Sequence, residues 1–433
     1  YLYSNYRPVS IIPIISKLYE ILLNNQIIKY FESNLLFTDC QYGFRAGRNT
    51  IQAVSSFVKQ CFQGIENGNV VCGRFFDLTK AFDTISHSIM LEKLDFYGFD
   101  NLSLQFLSSY LDNRYQAVYT NNKISQYKLI KNGVPQGSVL GPVLFVIYIN
   151  DLSHNIGDTN VSPYAYLFAD DLAVSVSNNK NTVTDLLDQT SLKVKEWCDA
   201  NALALNNNKT VDITFNISRS VHNINSDNGA KFLGIFIDQN LGWETHVNYI
   251  SGKISKNIFI LRVLKQKLCE KSLITIYYSY IHSHLSYGIL LWGNHSTANK
   301  LFILQKRAMR IICGAPPRSH CRSLFVYLGI LTLPSVFVLS CLLYVKENIS
   351  SYTICSSVHN YSTRNNNNIY INKCKYSLTQ NNFEVVAKNL FNSLPINLRR
   401  LPTNTFKNRI RSALTDNPLY KVSDFFDLNW THG

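Results

Sequence analysis

Residues 164–176 read YAYLFADDLAVSV, with Asp170 and Asp171 side by side in an otherwise apolar run. Burying unpaired charge is costly and adjacent like charges repel, so the pair needs a reason to be there. Strand formers on both sides place the pair at the turn of a β-hairpin, where two neighbouring carboxylates can approach one site. A divalent cation at the tip would cancel their repulsion. A third carboxylate fits at Asp77, which ends the β-branched and aromatic run NVVCGRFFDL. Three carboxylates on adjacent strand ends suit Mg²⁺, which keeps several waters, takes few protein carboxylates and binds substrate phosphates. Two such ions about 4 Å apart serve phosphoryl transfer, one at the attacking oxygen and one at the leaving group. A paired aspartate is also ordinary turn chemistry, so the surrounding residues must decide.

Between the acids lies NGVPQGSVLGPVLFVIYINDL (132–152), where Pro135 and Gly137 shape a tight approach to a wholly apolar helix. Gly137 would let backbone come close to a flat ligand such as a base pair. Upstream, QYGFRAGRNT (41–50) sets Arg45 and Arg48 in a Gly-containing loop suited to gripping a triphosphate. Downstream, LNNNKT ends a segment with Lys209, placed to neutralise or protonate a departing pyrophosphate.

The elements that must carry these residues follow from periodicity. Ile15–Phe31 has apolar residues at three/four spacing and reads as an amphipathic helix. NVVCGRFFDL reads as a buried strand, SIMLEKLDFYG as a helix closed by Gly98, and KFLGIFID (Lys231–Asp238) as a strand. The apolar runs Ser138–Ile149 and Ser335–Val345 read as buried helices. Beyond Trp243 the pattern turns helical, through about 350–380 it is Asn-rich loop, and a short helix follows near Phe383–Leu394.

Charge divides the chain unevenly. Residues 1–244 carry 19 Lys and Arg against 22 Asp and Glu, whereas residues 245–433 carry 23 against 6, so the second part holds nearly all of the net +14. An excess of that size points to a polyanionic partner, nucleic acid above all. No apolar run reaches the roughly 18–20 residues that span a bilayer, so no membrane partner is expected. Ten cysteines are scattered without a CxxC pair and read as free thiols of a reducing compartment. At 433 residues, two or three domains are expected. Opening at Tyr1 without an initiator Met, the chain reads as a segment of something longer.

Taken in order, NYRPVSIIPIISKLYE, GFRAGRNT, FFDLTKAFDTISH, GVPQGSVLGPVLFVIYINDL, FADD, LNNNKT and KFLGIFID resemble the reverse-transcriptase motifs of non-LTR (LINE-type, jockey-like) retrotransposons. The likeness runs strongly over about 5–240 and more weakly through LWGNHSTANKLFILQKRAMRIICG into YSTRNNNNIYI. It implies an α+β right-hand polymerase: fingers and palm with an antiparallel sheet over 1–240, a helical basic thumb-like domain over 241–345, and an Asn-rich linker and C-terminal region over 346–433. It further implies an RNA-directed DNA polymerase with two Mg²⁺ ions, for which Mn²⁺ could substitute. Asp77, Asp170 and Asp171 would be the metal triad and Lys209 the acid. Phe82, five residues past Asp77, would be the sugar-sensing gate. Gln136 and Gly137 would lie beside the incoming nucleotide, with Arg45 and Arg48 on its phosphates and FLGIFID as the primer grip. The partners implied are an RNA template, a DNA primer or target DNA, and dNTPs. The implied location is intracellular: nuclear during reverse transcription, cytoplasmic as a ribonucleoprotein.

Asp83 reads equally as a turn organiser, Trp197 as core, and His87, His282 and His284 as structural. No endonuclease or Cys/His knuckle is encoded in these residues, and no signal sets an oligomeric state. A group II intron maturase shares the palm motifs, and a decayed copy that only binds nucleic acid would share the basic second part; the wording SVLGPVLFVIYINDL and FADD and the intact motif acids favour the retrotransposon polymerase.

Overall fold

The computed structural model describes residues 9–157, 162–215, 229–358 and 365–430. The chain divides into two compact units, Tyr1–Gly234 and Ile235–Gly433.

In the first unit the strands, in chain order, are β1 (Val70–Asp77), β2 (Arg114–Gln116), β3 (Tyr119–Thr120), β4 (Lys123–Ile124), β5 (Lys128–Ile130), β6 (Tyr164–Phe168), β7 (Asp171–Asn178), β8 (Val211–Phe215) and β9 (Gly229–Phe232). Among the described residues β6, β7, β1 and β8 form an antiparallel sheet in that order. β1 is central and carries Val, Cys and Phe on both faces, as its continuous apolar run requires. Its register with β7 runs from Val70 opposite Asn178 to Asp77 opposite Asp171, which brings these two acids to one end of the sheet. The hairpin expected around the paired acids is there: Phe168 faces Asp171, and Ala169 and Asp170 make the turn.

The helix Leu140–Tyr148 is buried along its whole length, with Leu144, Phe145 and Ile147 at the centre of the core. Trp197 joins that core; its Nε1 donates to Asp151, while Lys93 pairs with the same carboxylate at 2.6 Å and lies over the Trp197 ring. His87 is buried against the Gly133 carbonyl, the structural role expected of it.

Two expectations need correcting. Residues Ile14–Ser33 do form a helix, but only Glu20, Ile27 and Phe31 are buried, while Ile15, Leu18 and Leu22 face solvent. Apolar residues occur all round this helix, so its three/four spacing does not define one buried face. The single strand expected over Lys231–Asp238 is cut in two: β9 ends at Phe232 and β10 (Ile235–Asp238) begins the second unit, with Leu233 and Gly234 both at positive φ (48° and 83°). Two successive left-handed residues turn the chain and end a strand.

Apart from β10, the regular elements of the second unit are helical among the described residues. Glu244–Leu264 packs on Asn299–Cys313, and Leu333–Glu347 packs on Phe383–Ser393 and Thr403–Asp416, so helices on both sides of residue 345 belong to one unit. Exposed Lys253, Lys256, Arg262 and Lys267 line the outer side of Glu244–Leu264 and its end. The run SLITIYYSYIHSHL is helical throughout but widens to a π-turn at Tyr278–His282. Part of YSTRNNNNIYI lies outside the described residues. No single helix among the described residues is long and apolar enough to cross a membrane.

Candidate active site

The sheet end that carries the acids opens into a cleft of about 640 Å³. Asp77, Asp170, Phe82, Gln136, Gly137 and Lys209 all line it. Each arrives by a local device. Asp77 closes β1, and its carbonyl accepts from Asn206 N–H at 2.8 Å, while Thr79 N–H donates to the Ala204 carbonyl. These bonds fold the segment 204–210 across the strand end, and Lys209 Nζ reaches Asp77 Oδ2 at 3.2 Å. The lysine therefore acts as counter-ion to the strand-end carboxylate.

Phe82 is half-buried and stacks on Phe145 with centroids 4.5 Å apart, leaving it on the cleft wall. Gln136 Nε2 donates to both oxygens of Asp83, at 2.8 and 2.9 Å. Asp83 thus fixes the amide that faces the cleft, a more specific role than organising a turn. Gly137 has φ of +107°, a conformation that disfavours any side chain, and a Cβ there would meet the Ser10 carbonyl at 3.3 Å. The close approach at Gly137 is thus made by the chain's own backbone.

Asp171 sits opposite Asp77 in the register but is exposed and is not part of the cleft wall. Among the described residues no three His, Cys, Asp or Glu side chains come together as a metal-holding set. The expected triad is therefore two carboxylates in the cleft with a third beside it. Two carboxylates still fit a magnesium-like ion, which takes one or two from protein and completes its shell with water and substrate phosphate.

Arg45 and Arg48 are not on the cleft wall. Arg45 makes a two-pronged pair with Glu32 (3.0 and 2.9 Å), donates to the Thr38 carbonyl and lies over the Phe37 ring. The guanidinium in turn holds the Glu32 carboxyl below its ordinary range, chiefly through that hydrogen bond. Arg48 bonds both the carbonyl and the carboxylate of Asp39. These contacts brace the loop that follows the first helix.

That loop carries a residue the sequence reading missed. Gln41 is fully buried, and its Oε1 accepts from Gly43 N–H at 2.7 Å and Ala169 N–H at 3.3 Å. Ala169 is the left-handed residue (φ 54°) immediately before Asp170. Backbone bonds from Tyr42 to Leu167 and from Leu167 to Cys40, both 2.8 Å, lay the loop along β6. A Cβ on Gly43 would stand 2.5 Å from Ala169 N, so only glycine permits the approach. Glu20, also missed, is buried and accepts from Val139 N–H at 2.6 Å, placing a carboxylate at the start of the helix that follows Gly137. Its signal was an acid inside an apolar helix; Gln41 had only its place before Tyr-Gly-Phe-Arg.

The reverse transcriptase (RNA-dependent DNA polymerase) family model matches residues 3–237. Among curated proteins, the probable RNA-directed DNA polymerase from transposon X-element of Drosophila melanogaster is 28% identical over 336 residues, covering 72% of this chain and 36% of that protein. The polymerase from mobile element jockey of the same fly is 29% identical over 329 residues, with the same coverage of 72% and 36%. The chain thus spans about a third of the length of these relatives. A solved telomerase from Candida albicans, in complex with a fragment of telomeric RNA, is similar with a TM-score of 0.45 at 12% identity, over 73% of this chain and 59% of that one.

Proposed function

Because the chain belongs to the reverse transcriptase (RNA-dependent DNA polymerase) family, we propose that it is the polymerase segment of a non-LTR retrotransposon protein and copies RNA into DNA. The observation that carries this reading is one cleft holding Asp77 and Asp170 at the end of an antiparallel sheet, with Lys209, Gln136 and Phe82 on its walls.

Members of this family generally use divalent metal ions. Asp77 and Asp170 would hold magnesium here, with Asp171 close by, and the ion would supply charge stabilisation at the transferring phosphoryl group. The chain's own residues do the rest. Lys209, already against Asp77, offsets the charge of that carboxylate and stands where pyrophosphate would leave. Gln136, held by Asp83, offers the edge of the cleft a fixed amide. Phe82, backed by Phe145, cannot retreat from an added hydroxyl on the sugar. The exposed lysines and arginine along Glu244–Leu264 suit the phosphates of a template–primer duplex, which would be gripped by backbone and shape. The partners on this reading are an RNA template, a DNA primer or target and dNTPs, and the work takes place in the nucleus, with cytoplasmic passage as a ribonucleoprotein.

Primer extension on poly(rA)–oligo(dT) with Mg²⁺ tests the reading. Asp77→Asn and Asp170→Asn keep shape but remove anionic ligands, so extension should fall by orders of magnitude while duplex binding persists. Near-unchanged extension by Asp170→Asn would sink the assignment.

A further inference from the structure

The segment between the helix Asn101–Leu111 and Asn132 forms a ribbon that the polymerisation site does not use. β2 pairs with β5 and, farther out, β3 pairs with β4. Ser125 bridges the two pairs by exchanging bonds with Val118, and Asn121 and Asn122, both at positive φ (48° and 60°), make the tip. At about 3.3 Å per residue the ribbon reaches roughly 20 Å from Arg114 to its tip.

Its two faces differ. Directly paired residues share a face, so Arg114 with Ile130 and Gln116 with Lys128 lie on one side, and Tyr115 with Leu129 on the other. The first face is rooted at the active site: Arg114, Gln116 and Ile130 line a cavity of about 270 Å³ together with Lys80, Asp83 and Gln136, which also line the catalytic cleft. Arg114 Nη1 is buried there without a hydrogen-bond partner. Elsewhere the ribbon is unusually apolar for a projecting element. Tyr115 is 63% exposed, Tyr119 63% and Tyr127 71%, with Val118 and Ile124 also mostly exposed. Its ionic groups are all positive: Arg114, Lys123, Lys128 and Lys131 stand in a stretch, 113–150, with no Asp or Glu.

Exposed rings interleaved with cations and no acids are the surface on which unpaired bases stack while the backbone is neutralised. A duplex would hide its base faces from such rings. We propose that this ribbon holds the single-stranded RNA template on its way into the cleft, with Tyr115, Tyr119 and Tyr127 as the stacking platform and Lys123, Lys128 and Lys131 on the phosphates. The proposal rests on the polymerase reading above and adds a site to it.

The test uses the whole chain and primer–templates that share one duplex but carry template overhangs of about 2 or about 12 nucleotides, bracketing the length a stacking surface of this size covers. Anisotropy without divalent metal gives affinity, and extension with Mg²⁺ gives activity. The unaltered chain should bind the long overhang more tightly than the short one. The triple variant Tyr115→Ala, Tyr119→Ala, Tyr127→Ala should lose that advantage, roughly tenfold or more, while extending the short overhang at the unaltered rate. Lys123→Gln, Lys128→Gln, Lys131→Gln should keep part of the advantage but reduce the salt slope by about 2, since each single-strand phosphate contributes about 0.7. These side chains are exposed and outside the cleft, so the variants should fold, as thermal melts would show. If the unaltered chain extends primers but the tyrosine variant keeps the full long-overhang advantage, the ribbon is not the template path and its apolar face covers something else, a second copy of the chain being detectable by sedimentation. If the unaltered chain extends no primer, the polymerase reading fails instead.

Discussion

Replacing Gln41 with Met preserves bulk and removes one acceptor, and that acceptor is shared by Gly43 N–H and Ala169 N–H. A buried donor left without a partner costs about 1–3 kcal/mol, and the longer of the two bonds, at 3.3 Å, stands at the low end. Ala169 also bears the cost of a left-handed conformation, about 1–2 kcal/mol for a residue with a Cβ. Without Gln41 the turn has less to hold it in that state. A loss of about 1.4–2.8 kcal/mol from the turn lowers the equilibrium constant for the correct Asp170 placement by about ten- to a hundredfold. Extension by Gln41→Met should fall in kcat by up to that factor, with template–primer affinity unchanged. Melting should drop by roughly 2–4 °C per kcal/mol lost. Hydrogen exchange of the peptide spanning 167–172 should quicken, reporting the freed Ala169 amide independently of activity. Gln41→Glu retains the acceptor, and because Gln41 Nε2 has no hydrogen-bond partner it forfeits no bond; it should recover part of the rate despite burying charge. A Gln41→Met protein that melts lower yet keeps both its kcat and its slow exchange would refute the reasoning and return Gln41 to simple packing.

Other outcomes follow from the same geometry. Phe82→Val should raise ribonucleotide use relative to deoxyribonucleotide use as overall rate falls, measured as single-nucleotide kcat/KM for both sugars; equal losses would make Phe82 only a partner of Phe145. Neutralising Lys253, Lys256 and Arg262 together should reduce the salt slope of duplex binding by up to about 3, and an unchanged slope would mean that face meets solvent only. Of Lys306, Arg307 and Arg310 on the helix Asn299–Cys313, Lys306 lies over Phe302 and Arg310 donates to the Ser319 carbonyl, so only exposed Arg307 should contribute to that slope. His246 is buried, accepts from Phe236 N–H at Nδ1, and burial lowers its pKa to about 4. The unfolded state then binds more protons between pH 6.5 and 4, so stability falls as pH drops through that window, by up to about 3 kcal/mol. Urea unfolding of His246→Asn against the unaltered chain should show a flatter acid limb, and parallel limbs would remove His246 as the cause.

What the sequence made legible was set locally. β1, the hairpin of β6 and β7 and the helix Leu140–Tyr148 were readable because each is coded by a run of apolar or β-branched residues with its own turn. The paired acids stood out because two adjacent charges in such a run demand an explanation. The residues alone suggested Asp77 and Lys209 as companions of Asp170, and the ordered motifs added Gln136. The cleft that brings these four together was outside the reach of periodicity, since it depends on which strands pair.

The departures from the sequence reading share one cause. Arg45 and Arg48 were assigned to phosphate because guanidinium groups in a Gly-containing loop suit an anion, yet Glu32 and Asp39 lie near enough in sequence to claim them first. A side chain's chemistry states what it could bind, whereas its neighbours decide what it does bind. Glutamine 41 fails in the opposite direction: an uncharged amide signals nothing, and its importance arises from being buried where a left-handed turn needs an acceptor. The helix Ile14–Ser33 adds the third case, since its apolar residues occur all round it and only the surface it meets selects Glu20, Ile27 and Phe31 for burial. In all three the missing information is tertiary. The brace made by Arg45 and Arg48 holds the loop, the loop presents Gln41, and Gln41 holds the turn that aims Asp170. Arg45 and Arg48 are therefore linked to the turn at Asp170 through three intervening contacts, and substituting either should quicken hydrogen exchange of the peptide spanning 167–172.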